Sequence, residues 1–216
     1  GEIPESICDI YDNLESFFIF NNQLCPPYPE CLTEEDIGEQ DTSNCESLCD
    51  EETEVELWGE CYNIEETTEL NLSDSGLTGE IPPQIGELIN LTYLSLYDNL
   101  LSGEIPPEIG NLVNLTTLNL SGAPVSGPIG NQLTGEIPSE IGQLMNLEQL
   151  HLWNNQLTGV IPSTIGNLTN LTVLNLNKNN LSGQIPSSIE DLTNLEILSL
   201  FDNQLSGVIP PEIGNL

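Results

Sequence analysis

The side chains best suited to chemistry in this sequence are carboxylates, because the chain has 35 Asp and Glu residues and a single His, His151. Pairs such as Glu80 and Glu104 are of the kind that catalyses acid–base reactions on glycans. They occupy equivalent positions of a sequence repeat, however, which indicates solvated surface groups. No hydroxyl or thiol stands at a recognisable spacing from a base that would activate it. The sequence therefore predicts a protein that is not an enzyme and that uses no cofactor and no metal.

The charge of the chain restricts its partners. The formal net charge is −34, and Lys178 is the single residue of the Lys and Arg class. Nucleic acids and anionic membrane surfaces are bound through basic side chains, so neither is expected as a partner. The acid indicates either a solvated, self-repelling surface or a surface that attracts cations such as calcium. The first interpretation is favoured, because no acidic run has the glycine and spacing of a calcium-binding loop.

The elements that carry these side chains are defined by a repeat. After residue 66 a Gly-x-Ile-Pro motif occurs six times, and each copy follows a Leu-x-Leu pair, from residues 70–72 to residues 198–200. The spacing is 24 residues, except for one step of 32 between Leu118 and Leu150. A fixed period of this length predicts a solenoid, whose units bury their apolar faces only against one another.

Each Leu-x-Leu pair predicts a short strand with its leucines inside. In the second repeat, Leu94 and Leu96 are expected to point inward, and Tyr93, Ser95 and Tyr97 outward. The far side of the same coil is expected to be closed by further apolar side chains, namely Ile105, Ile109 and Leu112.

An Asn follows most of these strands, and its amide can bond backbone groups that stacking would leave unpaired. A column of such residues is therefore predicted inside the solenoid, at Asn99, Asn155, Asn179 and Asn203. Ser75 takes this place in the first repeat.

The pattern Leu-x-x-Leu-x-Leu-x-x-Asn-x-Leu-[Ser/Thr]-Gly-x-Ile-Pro resembles the plant-type leucine-rich repeat over residues 67–216. Similar repeats occur in polygalacturonase-inhibiting proteins, receptor-kinase ectodomains and bacterial surface proteins. The resemblance implies an α/β-type solenoid dominated by β structure, wound as a right-handed superhelix. It also implies a parallel sheet on the concave face, irregular or 3₁₀ turns on the convex side, and a second short sheet after the Asn position.

The third repeat contains the extra residues and can be aligned in three ways. Aligned forwards, Ala123 takes the Asn position; aligned backwards, Asn131 takes it and eight residues bulge out. Alternatively, the stretch is a repeat that has lost 16 residues. We predict an irregular, bulged insertion near residues 121–130, because an Asn satisfies buried backbone groups better than an Ala does.

All six cysteines precede the main array. An even number of cysteines beside a repeat array indicates caps closed by disulfides, and hence a secreted or cell-surface protein in an oxidising compartment. A zinc site is the alternative, but the sequence has no Cys-x-x-Cys pair and no nearby His. Cys8 and Cys31 fall one coil apart in repeat phase, which is a plausible disulfide distance. The predicted pairs are Cys8–Cys31, Cys49–Cys61 and Cys25–Cys45.

The repeat phase also divides the chain. Phe17 and Ile19 stand where a repeat has its paired leucines, and a Cys- and Pro-rich stretch follows them. The following acidic stretch lacks apolar spacing, which is typical of a linker. The predicted order is a terminal repeat coil with its cap at 1–31, an acidic linker at 32–56, an N-terminal cap at 57–66, and an array of six units at 67–216.

Outward strand positions of successive coils align in columns on the concave face. Exposed Tyr and Trp side chains are favoured as interface anchors, although scattered surface aromatics without a role are the alternative. Lys178, at the edge of this face, could anchor an acidic group. The predicted ligand-binding stripe is Tyr93, Tyr97, His151, Trp153, Lys178 and Phe201.

Seven Asn-x-Ser/Thr sequons occur, at Asn71, Asn90, Asn114, Asn119, Asn167, Asn170 and Asn180. The repeat itself writes Asn-Leu-Thr and Asn-Leu-Ser, so their number indicates glycosylation only weakly. In a eukaryotic host, occupancy is expected first at the coil corners, at Asn90, Asn114 and Asn170. Glycans on Asn71 and Asn119 would obstruct the concave strands.

These observations, with the resemblance, predict a non-catalytic extracellular scaffold that recognises protein or glycan through its concave face. The alternative is a structural subunit of an extracellular fibre. In that alternative, open solenoid ends associate head to tail, with residues 1–31 of one copy against the last coil of another. An ice- or mineral-binding surface ranks third.

Overall fold

The computed structural model forms two compact units, Gly1–Leu48 and Cys49–Leu216. The structure describes residues 3–11, 14, 16–24, 28–40, 49–50, 52–122 and 130–215; of residues 5, 10, 212 and 215 it describes the backbone alone. Within this part of the chain, no helix has the length and apolar character needed to cross a membrane.

The second unit opens with an antiparallel hairpin, β1 (Glu54–Leu57) and β2 (Glu60–Asn63). Trp58 and Gly59 form its two-residue turn, both with positive φ, as the tight turn of a hairpin requires. Val55 and Leu57 are buried and join the core of the array. The hairpin therefore covers the first coil. It includes much of the predicted cap, residues 57–66, but begins at Glu54, within the predicted linker.

Six three-residue strands form one parallel sheet in the order β3-β5-β7-β8-β9-β11. Their bounds are β3 Glu69–Asn71, β5 Tyr93–Ser95, β7 Thr117–Asn119, β8 Gln149–His151, β9 Val173–Asn175 and β11 Ile197–Ser199. The first leucine of each pair lies opposite the corresponding leucine of the next strand, and Leu118 pairs with Leu150 across the longer step. The extra residues therefore lie within one coil and do not separate the strands.

The other side of each coil is a 3₁₀ turn that begins after the Pro of the Gly-x-Ile-Pro motif. The turns are Pro83–Glu87, Pro107–Asn111, Ser139–Gln143, Ser163–Asn167, Ser187–Asp191 and Pro211–Asn215. Short parallel pairs join neighbouring coils after the Asn position: β4 (Thr78–Gly79) with β6 (Leu100–Leu101), and β10 (Ser182–Gly183) with β12 (Gln204–Leu205). These pairs confirm the second short sheet, and the whole arrangement confirms the β-dominated solenoid.

The core is a continuous column of leucine and isoleucine. Leu94 and Leu96 are fully buried from the strand side, and Ile109 and Leu112 from the turn side, as predicted. Ser95 differs from the expectation of an exposed outward residue, since only 1% of it is exposed. Its hydroxyl lies 2.8 Å from that of Ser73 in the neighbouring coil, so adjacent side chains cover it.

The predicted column of asparagines is present and bonds each coil to the preceding one. The Oδ1 atom of Asn99 accepts from the backbone N–H groups of Ser75 and Leu77, and its Nδ2 donates to the carbonyls of Leu72 and Leu96. At each of the equivalent asparagines, 155, 179 and 203, Oδ1 accepts one backbone N–H of the preceding coil, and Nδ2 donates to carbonyls of its own and the preceding coil.

The third repeat places Asn131 in this column, as the backward alignment predicted. Its Oδ1 accepts from the backbone N–H of Leu101 at 3.1 Å, and its Nδ2 donates to the carbonyls of Leu96, Leu120 and Ser121. Ala123, the alternative, lies outside the described residues, as does most of the predicted bulge.

The first unit contains a 3₁₀ turn (Glu5–Ile7) and two short helices, α1 (Cys8–Tyr11) and α2 (Glu34–Ile37). Phe17 and Ile19 are less exposed than Phe18 and Phe20, which is the alternation of a repeat strand. Asn22 Nδ2 donates to the carbonyl of Ile19, three residues back, just as Asn99 does to that of Leu96. Residues 17–24 therefore fold as a repeat coil.

Part of the predicted linker is corrected by the structure. Thr33 and Asp36 form a capping box that starts α2, and Asn22 forms a parallel bridge with Gln40. Gln40 donates to the carbonyl of Ile19 and accepts from the backbone N–H of Leu24, which are the bonds that a column Asn makes to a preceding coil. Residues 33–40 thus form a shortened further coil, which the sequence concealed because Gln replaces Asn.

Two of the three predicted disulfides are confirmed. Cys8–Cys31 closes the first unit, with 5.7 Å between the Cα atoms, and Cys49–Cys61 closes the hairpin of the second, with 5.4 Å. The third prediction, Cys25–Cys45, lies outside the described residues.

Candidate functional site

The concave sheet presents its outward side chains in columns, one residue from each coil. The columns are numbered along the chain: Tyr93 lies in the first, His151 in the second and Tyr97 in the third. Backbone hydrogen bonds between coils define the third column, because the N–H group of the residue after each member donates to the carbonyl of the next member. This aromatic column is Ser73, Tyr97, Ser121, Trp153, Asn177 and Phe201. The residues that follow form the rim column, namely Asp74, Asp98, Gly122, Asn154, Lys178 and Asp202.

Tyr97 and Trp153 meet on the concave face although they lie two coils apart. Their ring centroids are 5.9 Å apart, with the planes inclined at 45°. The coil between them contributes Ser121, which is fully buried and whose hydroxyl has no hydrogen-bond partner. The small serine thus lets the two rings close above it. Both rings remain half-buried, so one face of the pair is open to solvent.

Negative charge lies next to this pair on the rim. Burial raises the pKa of Tyr97, and the carboxylates of Asp98 and Asp74 raise it further. Tyr97 is therefore a neutral hydrogen-bonding phenol at physiological pH, in a negative field. Lys178 lies on the same rim, three coils beyond Asp98, and is half-buried.

His151 lies in the neighbouring column, between Asn119 and Asn175 on the adjoining strands. Burial lowers its pKa, so its imidazole is neutral at physiological pH. Its Nε2 lies 3.4 Å from Oε1 of Gln149. The Oδ1 atom of Asn175 is buried without a hydrogen-bond partner, which leaves an unused acceptor next to the histidine. Sequence reasoning did not distinguish Asn175 or Ser121 from their neighbours.

The other predicted stripe residues are not brought into the pair. Tyr93 is half-buried in the first column, on β5. Phe201 follows the end strand β11, four coils from β5, and is 57% exposed. In the first unit, Phe20 occupies the position equivalent to Tyr97 and is 51% exposed. The signal for Phe20 was available in the repeat phase, because it stands directly after Ile19 as Tyr97 does after Leu96.

The carboxylate pair Glu80 and Glu104 has a structural setting. Each side chain extends over the glycine of the next coil, Gly103 or Gly135, where a Cβ would approach it within 3.0 Å. Both carboxylates are exposed. The contact explains why the motif requires glycine. Because both carboxylates are exposed, neither is a buried acid of the kind that catalysis uses.

One further group of possible metal ligands occurs among the described residues. Cys49, Glu54 and Cys61 have ligand atoms within 4.8 Å of one another. The two sulfurs form the disulfide described above and provide no thiolates for a metal.

The sequon asparagines at the coil corners make backbone contacts. The Nδ2 atoms of Asn90, Asn114 and Asn170 donate to carbonyls of the preceding coil, each at 2.9 Å. Asn146 and Asn194, which are not in sequons, make the same bond. The repeat therefore favours asparagine here for structural reasons, and glycosylation at these sites stays a prediction.

The remaining sequons differ in accessibility. Asn71 and Asn119 lie on concave strands, as predicted, and each accepts a hydrogen bond from the residue two positions ahead. Asn167 and Asn180 are exposed. Their occupancy likewise stays a prediction.

Comparison with known proteins places the chain in a family. Models described as leucine rich repeat match residues 145–205 and residues 66–88 and 90–112. A search of curated proteins found no match.

Solved structures with this fold include plant receptor ectodomains. One is the ectodomain of the receptor kinase GASSHO1/SCHENGEN3 from Arabidopsis thaliana, in complex with CASPARIAN STRIP INTEGRITY FACTOR 2 (39% identity, TM-score 0.64, 69% of this chain and 17% of that one). A second is PEPR1-AtPEP1 (42% identity, TM-score 0.64, 68% and 20%). The chain thus spans a fifth or less of these two relatives.

A third relative is similar in length. The BIR3–SERK2 complex from Arabidopsis thaliana contains a chain that is 33% identical, with a TM-score of 0.54 over 77% of this chain and 82% of that one. The repeat motif, the Asn column and these matches agree. The chain belongs to the leucine-rich repeat family, with repeats of the plant type found in receptor-kinase ectodomains.

Proposed function

We propose that this protein is a non-catalytic extracellular scaffold that recognises a protein or peptide through the concave face of its solenoid. The relatives named above include ectodomains solved with a peptide or protein partner. The disulfides Cys8–Cys31 and Cys49–Cys61 support an oxidising, extracellular location.

The observation that carries this proposal is the Tyr97–Trp153 pair. Large aromatic side chains that stand half-exposed on a rigid sheet lose little conformational entropy on binding and are favoured as interface anchors. The pair lies near the middle of the six-stranded sheet, where a ligand can contact neighbouring columns on both sides. A glycan could stack on the same rings, and it is the other outcome of a binding screen.

Selection from a peptide library tests the proposal. Random peptides of about 12 residues, long enough to cross all six strands at about 4.8 Å each, are displayed on phage and selected on the immobilised full chain. The recovered peptides are then synthesised. Their affinities are measured for the wild type and for the double variant Tyr97→Ala/Trp153→Ala.

The matched control replaces two exposed apolar residues outside the columns, Val113→Ala/Met145→Ala. We expect the concave-face variant to bind at least about tenfold more weakly, because truncated anchor residues cost more than 1 kcal/mol each, and the control to bind as the wild type does. Equal affinities for all three proteins would refute recognition through this face.

The fibre alternative rests on a different surface. Val208 and Ile209 of the last coil are more than half exposed, and a further coil or a second copy would cover them. Sedimentation at micromolar concentration tests this alternative. A monomeric mass would refute head-to-tail assembly, and a mass that increases with protein concentration would support it.

A further inference from the structure

The rim column is acidic except at one coil, since Asp74, Asp98 and Asp202 carry carboxylates and Lys178 carries the positive charge. Asp74 and Asp98 lie beside the Tyr97 ring and act on its ionisation, whereas Lys178 is the single Lys or Arg of the chain. A cation over an aromatic face is attracted by the ring, and more strongly when carboxylates lie beside it. The end of the aromatic pair near Tyr97 therefore favours a cationic side chain.

Lys178 departs from the local rule of its column. The rim position has positive φ in five coils, between 52° and 56°, at Asp74, Asp98, Asn154, Lys178 and Asp202. Asn and Asp tolerate this conformation far better than other residues with a Cβ. Lysine is less favourable than Asn or Asp at this positive φ, and such local inconsistencies are expected where a side chain serves function. What lysine adds is a positive charge on the rim.

A third feature is unused hydrogen-bonding capacity under the pair. Ser121 is fully buried in the aromatic column, between the coils that carry Tyr97 and Trp153, and its hydroxyl has no partner. A buried polar atom without a partner costs free energy that a new hydrogen bond can recover.

We propose that the concave face binds an extended dipolar peptide segment, with a basic side chain on the Tyr97–Trp153 pair beside Asp74 and Asp98, and an acidic group at Lys178. Asp98 and Lys178 are three coils apart, or about 14 Å at the spacing of neighbouring strands. An extended chain covers this distance in about four residues. The inference rests on the proposed function and adds to it the chemistry and spacing of the ligand.

The peptides recovered on the full chain test the inference. Their sequences are aligned for a basic residue with an acidic residue about four positions away. Their affinities are then compared between Asp74→Asn/Asp98→Asn and a matched control, Glu80→Gln/Glu104→Gln, which removes the same charge from exposed positions outside the concave columns. Lys178→Gln is measured with peptides whose acidic residue is present or replaced by its amide.

We expect the rim variant to bind about tenfold more weakly, since two charge contacts near an aromatic pair together contribute about 1.4 kcal/mol, and the control to change affinity less than twofold. Lys178→Gln should weaken only peptides that retain the acid. Equal losses in the rim and control variants would mean unspecific attraction to an acidic protein and overturn the inference.

Two results separate this inference from the proposed function. Peptides without basic residues that still require Tyr97 and Trp153 would overturn the dipolar ligand and leave concave-face recognition intact. Failure to recover any peptide that depends on the two rings would overturn both.

Discussion

The inner asparagine column and the outer aromatic column run side by side through the same coils, yet they follow opposite rules. From Asn99 to Asn203 the inner column has one residue type, and each Oδ1 accepts a backbone N–H of the preceding coil. The outer column changes residue at almost every coil and contains Ser121, whose hydroxyl is unpaired. Uniformity marks what the fold requires, and variation marks the surface that is free to bind.

The largest expected effect is on the inner column. Asn131→Ala removes the acceptor for the Leu101 N–H and a donor shared by three carbonyls, all buried. We expect the free energy of unfolding to fall by about 3 kcal/mol, because several buried backbone groups lose their partners. Urea denaturation measures the change.

Asn203→Ala is the matched comparison, since its amide is partly exposed and water can replace some of its bonds. Its loss should be about half as large. Equal losses would mean that burial does not determine the cost of breaking the column.

The next effect is at Gly122, which lies in the rim column directly after Ser121 of the outer column. A Cβ on Gly122 would overlap the carbonyl oxygen of Asn154 and press on that of Asn131. Gly122→Ala should destabilise the protein by about 2 kcal/mol, because backbone atoms cannot move aside cheaply. Gly214→Ala, with open space around its Cβ, should change stability by less than about 0.5 kcal/mol. Thermal unfolding of both variants would show whether the difference exists.

The regular part of this comparison could be predicted from the sequence. The period located the strands, the core and the Asn column, and the argument from buried backbone chose Asn131 over Ala123. What the period could not show is contact between residues two coils apart: Tyr97 and Trp153 meet only because Ser121 is small. The role of Gln40 was not predicted either, because its longer side chain brings the amide to the column position from a shortened coil.

A smaller effect, of opposite sign, is expected in the outer column. Ser121→Ala removes a buried hydroxyl that has no partner, so the free energy of unfolding should rise by about 1 kcal/mol. The same substitution should weaken binding of the selected peptides if the hydroxyl bonds them. A destabilised variant would show that the hydroxyl is satisfied in solution.

The smallest expected effect concerns His151. Burial lowers its pKa in the folded protein, so the unfolded chain binds the proton more readily. Its contribution to stability is therefore complete above the ordinary pKa of about 6.5 and is lost as the pH falls. Between about pH 7 and pH 5 the wild type should lose more stability than His151→Asn, which matches the neighbouring column residues. Parallel pH profiles would mean that the imidazole is not desolvated.

The most direct test of the account uses Trp153 as the reporter of its own site. The chain has two tryptophans, and Trp58 makes no hydrogen bond through its Nε1, so Trp58→Phe leaves a folded protein whose indole emission comes from the concave face alone. Titration with a selected peptide should change that emission in a saturable way, with the same affinity as calorimetry gives. Binding detected by calorimetry without any change in the emission of Trp153 would contradict recognition at the Tyr97–Trp153 pair.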